Sequence, residues 1–107
     1  MSANFIKLES LEILDTLFEQ SRTRAIILFK HSTSCGISAG VYREMKEINA
    51  DVHIVILQTD RPVSDAIAER TGIRHESPQA FVLKGGKSVY HASHYDITAD
   101  DISAALF

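Results

Sequence analysis

The sequence predicts an α/β fold with a mixed central sheet flanked by helices on both faces. Short apolar runs of the kind that form buried strands alternate with stretches whose apolar residues recur at helical spacing. The pair Gly85-Gly86 separates the last two such runs and is typical of a two-residue hairpin turn, so the sheet should end in antiparallel strands. With 107 residues the chain suits one core, and we expect a single domain over residues 1–107.

The first half of the chain predicts two strands and two helices. A short strand over 5–8 is followed by an amphipathic helix whose apolar positions are Leu11, Leu14, Leu17 and Phe18. The run Ala25–Phe29 is continuous and apolar, as in buried parallel strands. The next helix should bury one face, formed by Ile37, Val41, Met45 and Ile48.

The second half continues the alternation and ends in a hairpin and a helix. Pro62 suits the first position of a helix, and Gly72 suits the position just after its end. Thr98 and Asp101 resemble the N-cap pair of a last helix. The expected elements are strands at 52–57, 80–83 and 88–92 and helices at 62–71 and 98–106. A thioredoxin-like arrangement accommodates this order of elements.

Composition excludes several classes of function. The net charge is −3 and the basic residues are scattered, which disfavours a nucleic-acid partner. No apolar run approaches the roughly 18–20 residues that span a bilayer, so we expect no membrane association. The start, MSANFIKLES, has neither a long apolar region nor a signal-peptide cleavage site. A single cysteine makes no internal disulfide and is typical of a reducing compartment, so we expect a cytoplasmic protein.

Cys35, the single cysteine, lies between the second expected strand and the second expected helix. The polar segment 31–34 indicates that the chain leaves the interior there, at the strand end where α/β sheets place their sites. Free N–H groups and the dipole at a helix start favour negative charge and lower a thiol pKa. Although many lone cysteines are only small buried hydrophobes, this position predicts a reactive thiolate.

Other polar residues near Cys35 admit two interpretations each. Ser38 lies one turn further along and is placed either to donate a hydrogen bond to the sulfur or to face solvent. A C-x-x-S motif forms no internal disulfide, so a second thiol must come from another molecule. His31, if charged, would favour the thiolate; otherwise it is a strand-end histidine in solvent. His91 and His94 lack metal-ligand spacing, and we expect no metal site.

Four segments of the chain resemble the monothiol bacilliredoxins, thioredoxin-fold proteins of bacteria that make the thiol bacillithiol. The segments are FKHSTSCGIS at 29–38, RPVSDAIAERTG at 61–72, HESPQAF at 75–81 and HASHYDIT at 91–98. The C-x-x-S motif alone is unspecific. A strand–cysteine–helix unit at Cys35 followed by S-P-Q-A-F at 77–81 is specific for this family.

The resemblance implies a function for Cys35. It implies that Cys35 attacks a mixed disulfide between a protein and bacillithiol, and takes the low-molecular-weight thiol onto itself. Free bacillithiol or glutathione, or a reductase, would regenerate Cys35; the partners would be S-thiolated client proteins, with no tightly bound cofactor. It also implies a cis peptide at Ser77–Pro78, facing Cys35. The implied thiol-binding residues are Thr33, Ser34, Gly36, Ser38, Ser77 and Pro78.

Gly36 departs from the family pattern, in which proline follows the cysteine. It restores an N–H near the sulfur, which is expected to stabilise the thiolate at the expense of a looser turn. The motif C-G-I-S also resembles the C-G-F-S of monothiol glutaredoxins, which bridge a [2Fe–2S] cluster between two subunits with glutathione. Those proteins carry a G-G-C-D-like turn after the hairpin, and residues 89–94 contain none. A redox-inert interaction module on the same fold is the third interpretation.

Overall fold

A computed structural model describes residues 2–107. Within them, five strands and four α-helices follow the predicted order. The strands are β1 (Asn4–Lys7), β2 (Ile26–His31), β3 (Asp51–Ile56), β4 (Gln79–Lys84) and β5 (Lys87–Ser93). The helices are α1 (Leu11–Gln20), α2 (Gly36–Met45), α3 (Arg61–Thr71) and α4 (Ala99–Ala105). A short 3₁₀ helix, His94–Asp96, joins β5 to α4.

The sheet is mixed, as predicted, with strand order β1-β3-β2-β4-β5. β1 and β2 both pair parallel with β3, whereas β4 pairs antiparallel with β2 and with β5. The central strand β2 therefore has a parallel neighbour on one side and an antiparallel neighbour on the other. The carboxyl ends of β1, β2 and β3 and the amino end of β4 consequently meet at one edge, which we call the carboxyl edge.

Helices cover both faces of the sheet, as predicted. One buried cluster joins α2 and α4 to one face, with β2 contributing Ile27 and Phe29. The other joins α1 and α3 to the opposite face, through Ile26 and Leu28 of the same strand. Because successive strand residues point to opposite faces, β2 supplies apolar side chains to both layers. Among the described residues, no helix is both long enough and apolar enough to cross a membrane.

Local signals at turns and helix ends are confirmed. The Thr98 hydroxyl accepts a hydrogen bond of 3.1 Å from the Asp101 N–H at the start of α4. Gly72 ends α3 in the left-handed conformation, with φ of 71°. Gly85 and Gly86 have φ of 63° and 79°, and positive φ at both central residues is what the type I′ hairpin turn requires.

Two details of the helices differ from expectation. Val41, Met45 and Ile48 are buried as predicted, but Ile37 is 36% exposed and Ser38 takes the buried position in the first turn of α2. Pro62 is the second residue of α3, which begins at Arg61. The missing N–H of a proline is also tolerated there, since the first four N–H groups of a helix have no partner within it.

The strand β2 extends beyond the apolar run that predicted it. Lys30, which directly follows that run, is fully buried. Its Nζ lies 3.1 Å from Nδ1 of His75 and 5.7 Å from the ring centroid of Phe81. Burial lowers the pKa of Lys30 to about 8. The contact with His75 ties β2 to the loop that precedes β4.

Candidate active site

Cys35 occupies the N-cap of α2, where the chain changes from extended to helical, with φ of −106° and ψ of 125°. The thiol is partly exposed, as predicted for a residue at a strand exit. Three residues, Ser32–Ser34, separate it from the end of β2. The site is therefore at the carboxyl edge, where the side chains that follow neighbouring parallel strands converge.

Backbone N–H groups dominate the electrostatics of the thiol. The N–H of Ser38 and then that of Ile37 lower the pKa of Cys35, the Ser38 hydroxyl adds to this, and slight burial opposes it. These are the second and third residues of the helix, whose N–H groups an N-cap side chain normally accepts. The uncharged sulfur makes no well-formed cap hydrogen bond, so the stabilisation arises from attraction between these N–H dipoles and the thiolate charge.

The groups that act on the sulfur are not those expected from Gly36 and His31. The N–H of Gly36 is not one of the groups that shift the thiol pKa. Burial lowers the pKa of His31, so its ring is neutral near pH 7 and supplies no positive charge to the thiolate. Instead the His31 ring lies 5.1 Å from that of Tyr42, centroid to centroid. The interpretation of His31 as a charged group is therefore excluded, and the acidity of Cys35 comes from the N–H groups of Ser38 and Ile37.

Ser38 is fully buried, which excludes the interpretation as a solvated first-turn residue. Its hydroxyl oxygen accepts a hydrogen bond of 3.3 Å from the Ser32 N–H. The hydroxyl proton remains free to donate toward the sulfur of Cys35, in line with its effect on the thiol pKa. Ser38 thus joins the loop to the helix and acts on the thiol at the same time.

Gln58 holds the loop before Cys35 and was not predicted from the sequence. Its side-chain oxygen accepts a hydrogen bond of 3.2 Å from the Thr33 N–H. Its amide nitrogen donates to the hydroxyls of Ser32 and Ser34, at 2.8 and 2.9 Å. The signal in the sequence was a polar side chain directly after the apolar run of β3, a strand parallel to β2. Because parallel strands end at the same edge, Gln58 reaches the loop that follows β2.

The Ser77–Pro78 peptide is cis, as the family resemblance implied. Lys30 pairs with Gln79 between β2 and β4, so Ser77 and Pro78 lie beside the exit of β2. The Pro78 carbonyl accepts a hydrogen bond of 3.0 Å from the N–H of His94, at the start of the 3₁₀ helix. The Ser77 hydroxyl is buried and has no hydrogen-bond partner within residues 2–107.

The predicted site residues form two groups in the structure. Thr33, Ser34, Gly36 and Ser38 are contiguous with Cys35, and Ser77 with Pro78 approaches the same edge from β4. No group of three potential metal-ligating side chains is close enough to hold an ion within the part of the chain described.

The pH dependence of alkylation tests how the start of α2 acts on the thiol. We expect the alkylation rate of Cys35 to reach its midpoint below that of a free cysteine, because the N–H groups of Ser38 and Ile37 lower its pKa. Ser38→Ala should raise the midpoint, since it removes the hydroxyl but keeps the N–H. Rates of alkylation by iodoacetamide, measured from pH 5 to 10, give the midpoints of wild type and of Ser38→Ala. A wild-type midpoint at the free-cysteine value would contradict this account.

The geometry at Gly36 predicts that proline fits there. A Cβ at this position would contact nothing within 4 Å, and Cys35 has the extended conformation that residues before proline adopt. Gly36→Pro should therefore raise the free energy of unfolding by about 0.4–1 kcal/mol, by restricting the unfolded chain. Urea denaturation measures this, with Gly40→Pro as a matched control that should destabilise α2, because it lies inside the helix. Destabilisation by Gly36→Pro would contradict the prediction.

Comparisons with known proteins agree with this geometry. The model of a family described as monothiol bacilliredoxin BrxC matches residues 6–102. A solved structure described as "A putative oxidoreductase with a thioredoxin fold" is 33% identical, with a TM-score of 0.86, over 94% of this chain and 92% of that one.

More distant structures share the fold. Thioredoxin from Malassezia sympodialis is 13% identical, with a TM-score of 0.73, over 99% of this chain and 90% of that one. Thioredoxin O2 from Arabidopsis thaliana is 14% identical, with a TM-score of 0.71, over 94% and 90%. These thioredoxins show the fold alone, which is the predicted thioredoxin-like fold. The family match and the oxidoreductase support a thiol redox function.

Proposed function

Because this chain belongs to the monothiol bacilliredoxin family, we propose that it removes bacillithiol, or a similar low-molecular-weight thiol, from mixed disulfides on client proteins. Cys35 is the attacking group. The observation that supports this role is its position at the N-cap of α2, partly exposed and with its pKa lowered by helix N–H groups. In thiol–disulfide exchange the thiolate is the nucleophile.

The first step transfers the low-molecular-weight thiol to Cys35. The thiolate attacks the sulfur of that thiol in the mixed disulfide, a new disulfide forms on Cys35, and the client leaves as a thiolate. Ser34, Gly36 and Ser38 surround the new disulfide in this proposal. The backbone of Ser77, ahead of the cis Pro78, pairs with the bound substrate. The absence of a second cysteine in the sequence means that no internal attack follows.

The second step regenerates Cys35 with an external thiol. A second low-molecular-weight thiol attacks the disulfide on Cys35 through its own thiolate, forms a symmetrical low-molecular-weight disulfide and releases the Cys35 thiolate. A dithiol reductase achieves the same result with its own pair of cysteines. Neither route needs a bound cofactor, and we propose none.

Intact-mass spectrometry tests the proposed transfer. A client protein capped with bacillithiol, or separately with glutathione, is mixed with an equimolar amount of the reduced protein. We expect the client to lose the mass of its cap and this chain to gain the same mass. If neither cap transfers, the proposed function is wrong.

Cluster reconstitution tests the rival interpretation as an iron–sulfur carrier. The protein is incubated anaerobically with iron, sulfide and glutathione, and its absorption spectrum and size are measured. We expect a colourless protein, because monothiol exchange needs no cluster. A stoichiometric [2Fe–2S] spectrum that depends on Cys35 would favour the cluster carrier instead.

A further inference from the structure

We propose that a cavity beside Cys35 binds the part of the low-molecular-weight thiol that lies beyond its cysteine, a tail that combines a saturated ring with a carboxylate. This inference rests on the proposed function and names the determinant of its thiol specificity. The cavity, which we call the edge cavity, has a volume of about 320 Å³. Small-molecule sites begin at roughly this size. Its main walls are Phe5, Lys7, His31, Thr33, Tyr42 and Ile56.

The edge cavity lies where three parallel strands end. In the register of the sheet, Lys7 at the end of β1 pairs with Ile54, and His31 at the end of β2 pairs with Ile56. Tyr42 of α2 lies above this face of the sheet, packed on Phe5 of β1. The crevice outside the carboxyl ends of the strands is the usual ligand position in open α/β sheets.

A row of aromatic rings forms one wall of the edge cavity. The Phe5 and Tyr42 rings stack with centroids 4.6 Å apart and an angle of 20° between their planes. The Tyr42 and His31 rings lie 5.1 Å apart. All three side chains remain partly exposed, and apart from Lys46, whose Nζ lies 5.2 Å from the Tyr42 ring centroid, the row keeps open surface toward the cavity. Such a surface buries the C–H face of a saturated ring.

The charge of the edge cavity favours an anionic occupant. Among the residues that line it, Lys7 is the charged one, and its side chain is exposed at the rim. Burial lowers the pKa of His31, so the imidazole is neutral near pH 7. Its Nδ1 is buried and has no hydrogen-bond partner among residues 2–107, so we assign the ring proton to Nε2. A carboxylate therefore finds one cation and one neutral donor.

The edge cavity is within reach of a thiol attached to Cys35. Thr33 lines the cavity and is two residues from Cys35, so their Cα atoms are no more than about 7 Å apart. Bacillithiol carries a glucosamine ring and malate carboxylates beyond its cysteine, whereas glutathione carries carboxylates but no ring. The aromatic row and Lys7 together match both features of bacillithiol and only one of glutathione.

A noncovalent binding experiment tests the edge cavity independently of the exchange reaction. The Cys35→Ser protein is titrated with S-methyl bacillithiol and, separately, with S-methyl glutathione, and binding is followed by NMR. We expect S-methyl bacillithiol to shift the resonances of His31 and Tyr42 and to bind more tightly than S-methyl glutathione. Lys7→Gln should weaken its binding about fivefold, as expected for an exposed ion pair. The matched control Lys87→Gln, an exposed lysine of β5, should leave it unchanged.

The aromatic row is tested by a pair of substitutions at Tyr42. Tyr42→Phe keeps the ring and should keep the binding, whereas Tyr42→Leu should weaken it; thermal unfolding shows whether either variant is misfolded. Shifts confined to the Ser77–Pro78 loop, or equal affinities of the Cys35→Ser protein with and without Lys7→Gln, would overturn the edge cavity as the binding site. If the cap transfers to Cys35 but these shifts are absent, the edge cavity is wrong and the proposed function is kept. If S-methyl bacillithiol binds in the edge cavity but no cap transfers, the proposed function is wrong and the edge cavity is kept as a binding site.

Discussion

Replacing Cys35 with serine is expected to abolish transfer of the low-molecular-weight thiol. A serine hydroxyl is a far weaker nucleophile than a thiolate near neutral pH and forms no disulfide. The fold should survive, because serine is among the preferred N-cap residues and Cys35 is the N-cap of α2. Intact mass of the client and of this chain, after mixing with a bacillithiol-capped client, measures the loss.

A neighbouring substitution controls for damage to the loop. Ser34→Ala removes a hydroxyl that accepts a hydrogen bond from Gln58 but keeps the thiol. It should retain cap transfer at a reduced rate, since the Thr33 N–H still donates to the Gln58 side chain and the Gln58 amide still donates to the Ser32 hydroxyl. Transfer by the Cys35→Ser protein would show that another group carries the reaction, and the assignment of Cys35 would be wrong.

Replacing Ser38 with cysteine is expected to change the product of the reaction. The new thiol lies one turn from Cys35, in the C-x-x-C spacing of dithiol oxidoreductases. It attacks the Cys35 sulfur of the adduct, an internal disulfide forms, and the low-molecular-weight thiol leaves. The variant should therefore end one turnover without the cap, with the mass of the internal disulfide, and should need a dithiol reductant for the next. Wild type should end with the cap retained.

The position of the second thiol, and not just its presence, decides whether the cap is released. Ser34→Cys also adds a thiol beside Cys35, but adjacent Cα atoms are 3.8 Å apart, below the 4.4 Å that disulfides usually need. That control should keep the cap. Ser38→Cys should also lose about 1 kcal/mol of stability, because sulfur is a weak acceptor for the Ser32 N–H. Retention of the cap by Ser38→Cys would contradict the geometry inferred for the start of α2.

The order of elements and the position of Cys35 were predictable because their signals are local. Apolar runs, the Gly85-Gly86 pair and the Thr98 cap each act within a few residues of their own position. The helix-start placement of Cys35 follows from the same patterns. Ser77–Pro78 was different, since its cis geometry came from the family resemblance and not from the pattern of the residues.

The contacts that complete the site were not predictable, because they join residues that are distant in sequence. The burial of Lys30 depends on His75, which is 45 residues away along the chain. Gln58 is an ordinary polar residue until the parallel pairing of β2 and β3 brings it to the loop before Cys35. His31 was expected in solvent or charged, but it lies half-buried beside the Tyr42 ring of α2, and burial lowers its pKa.

The separation of Cys35 from the Ser77–Pro78 loop along the chain bears on the protein during its synthesis. The N–H groups that acidify the thiol belong to Ile37 and Ser38, so they are translated together with it. The Ser77–Pro78 loop belongs to the second half of the chain, and domains emerge from the ribosome with the N-terminus first. A nascent or truncated chain that ends before β4 therefore carries Cys35 and these N–H groups without the Ser77–Pro78 loop, and a ten-residue helix such as α2 is marginal in water until it packs on the sheet. Cys35 is therefore expected to become acidic only once α2 is packed on the completed sheet, so that reactivity and the complete site arise together.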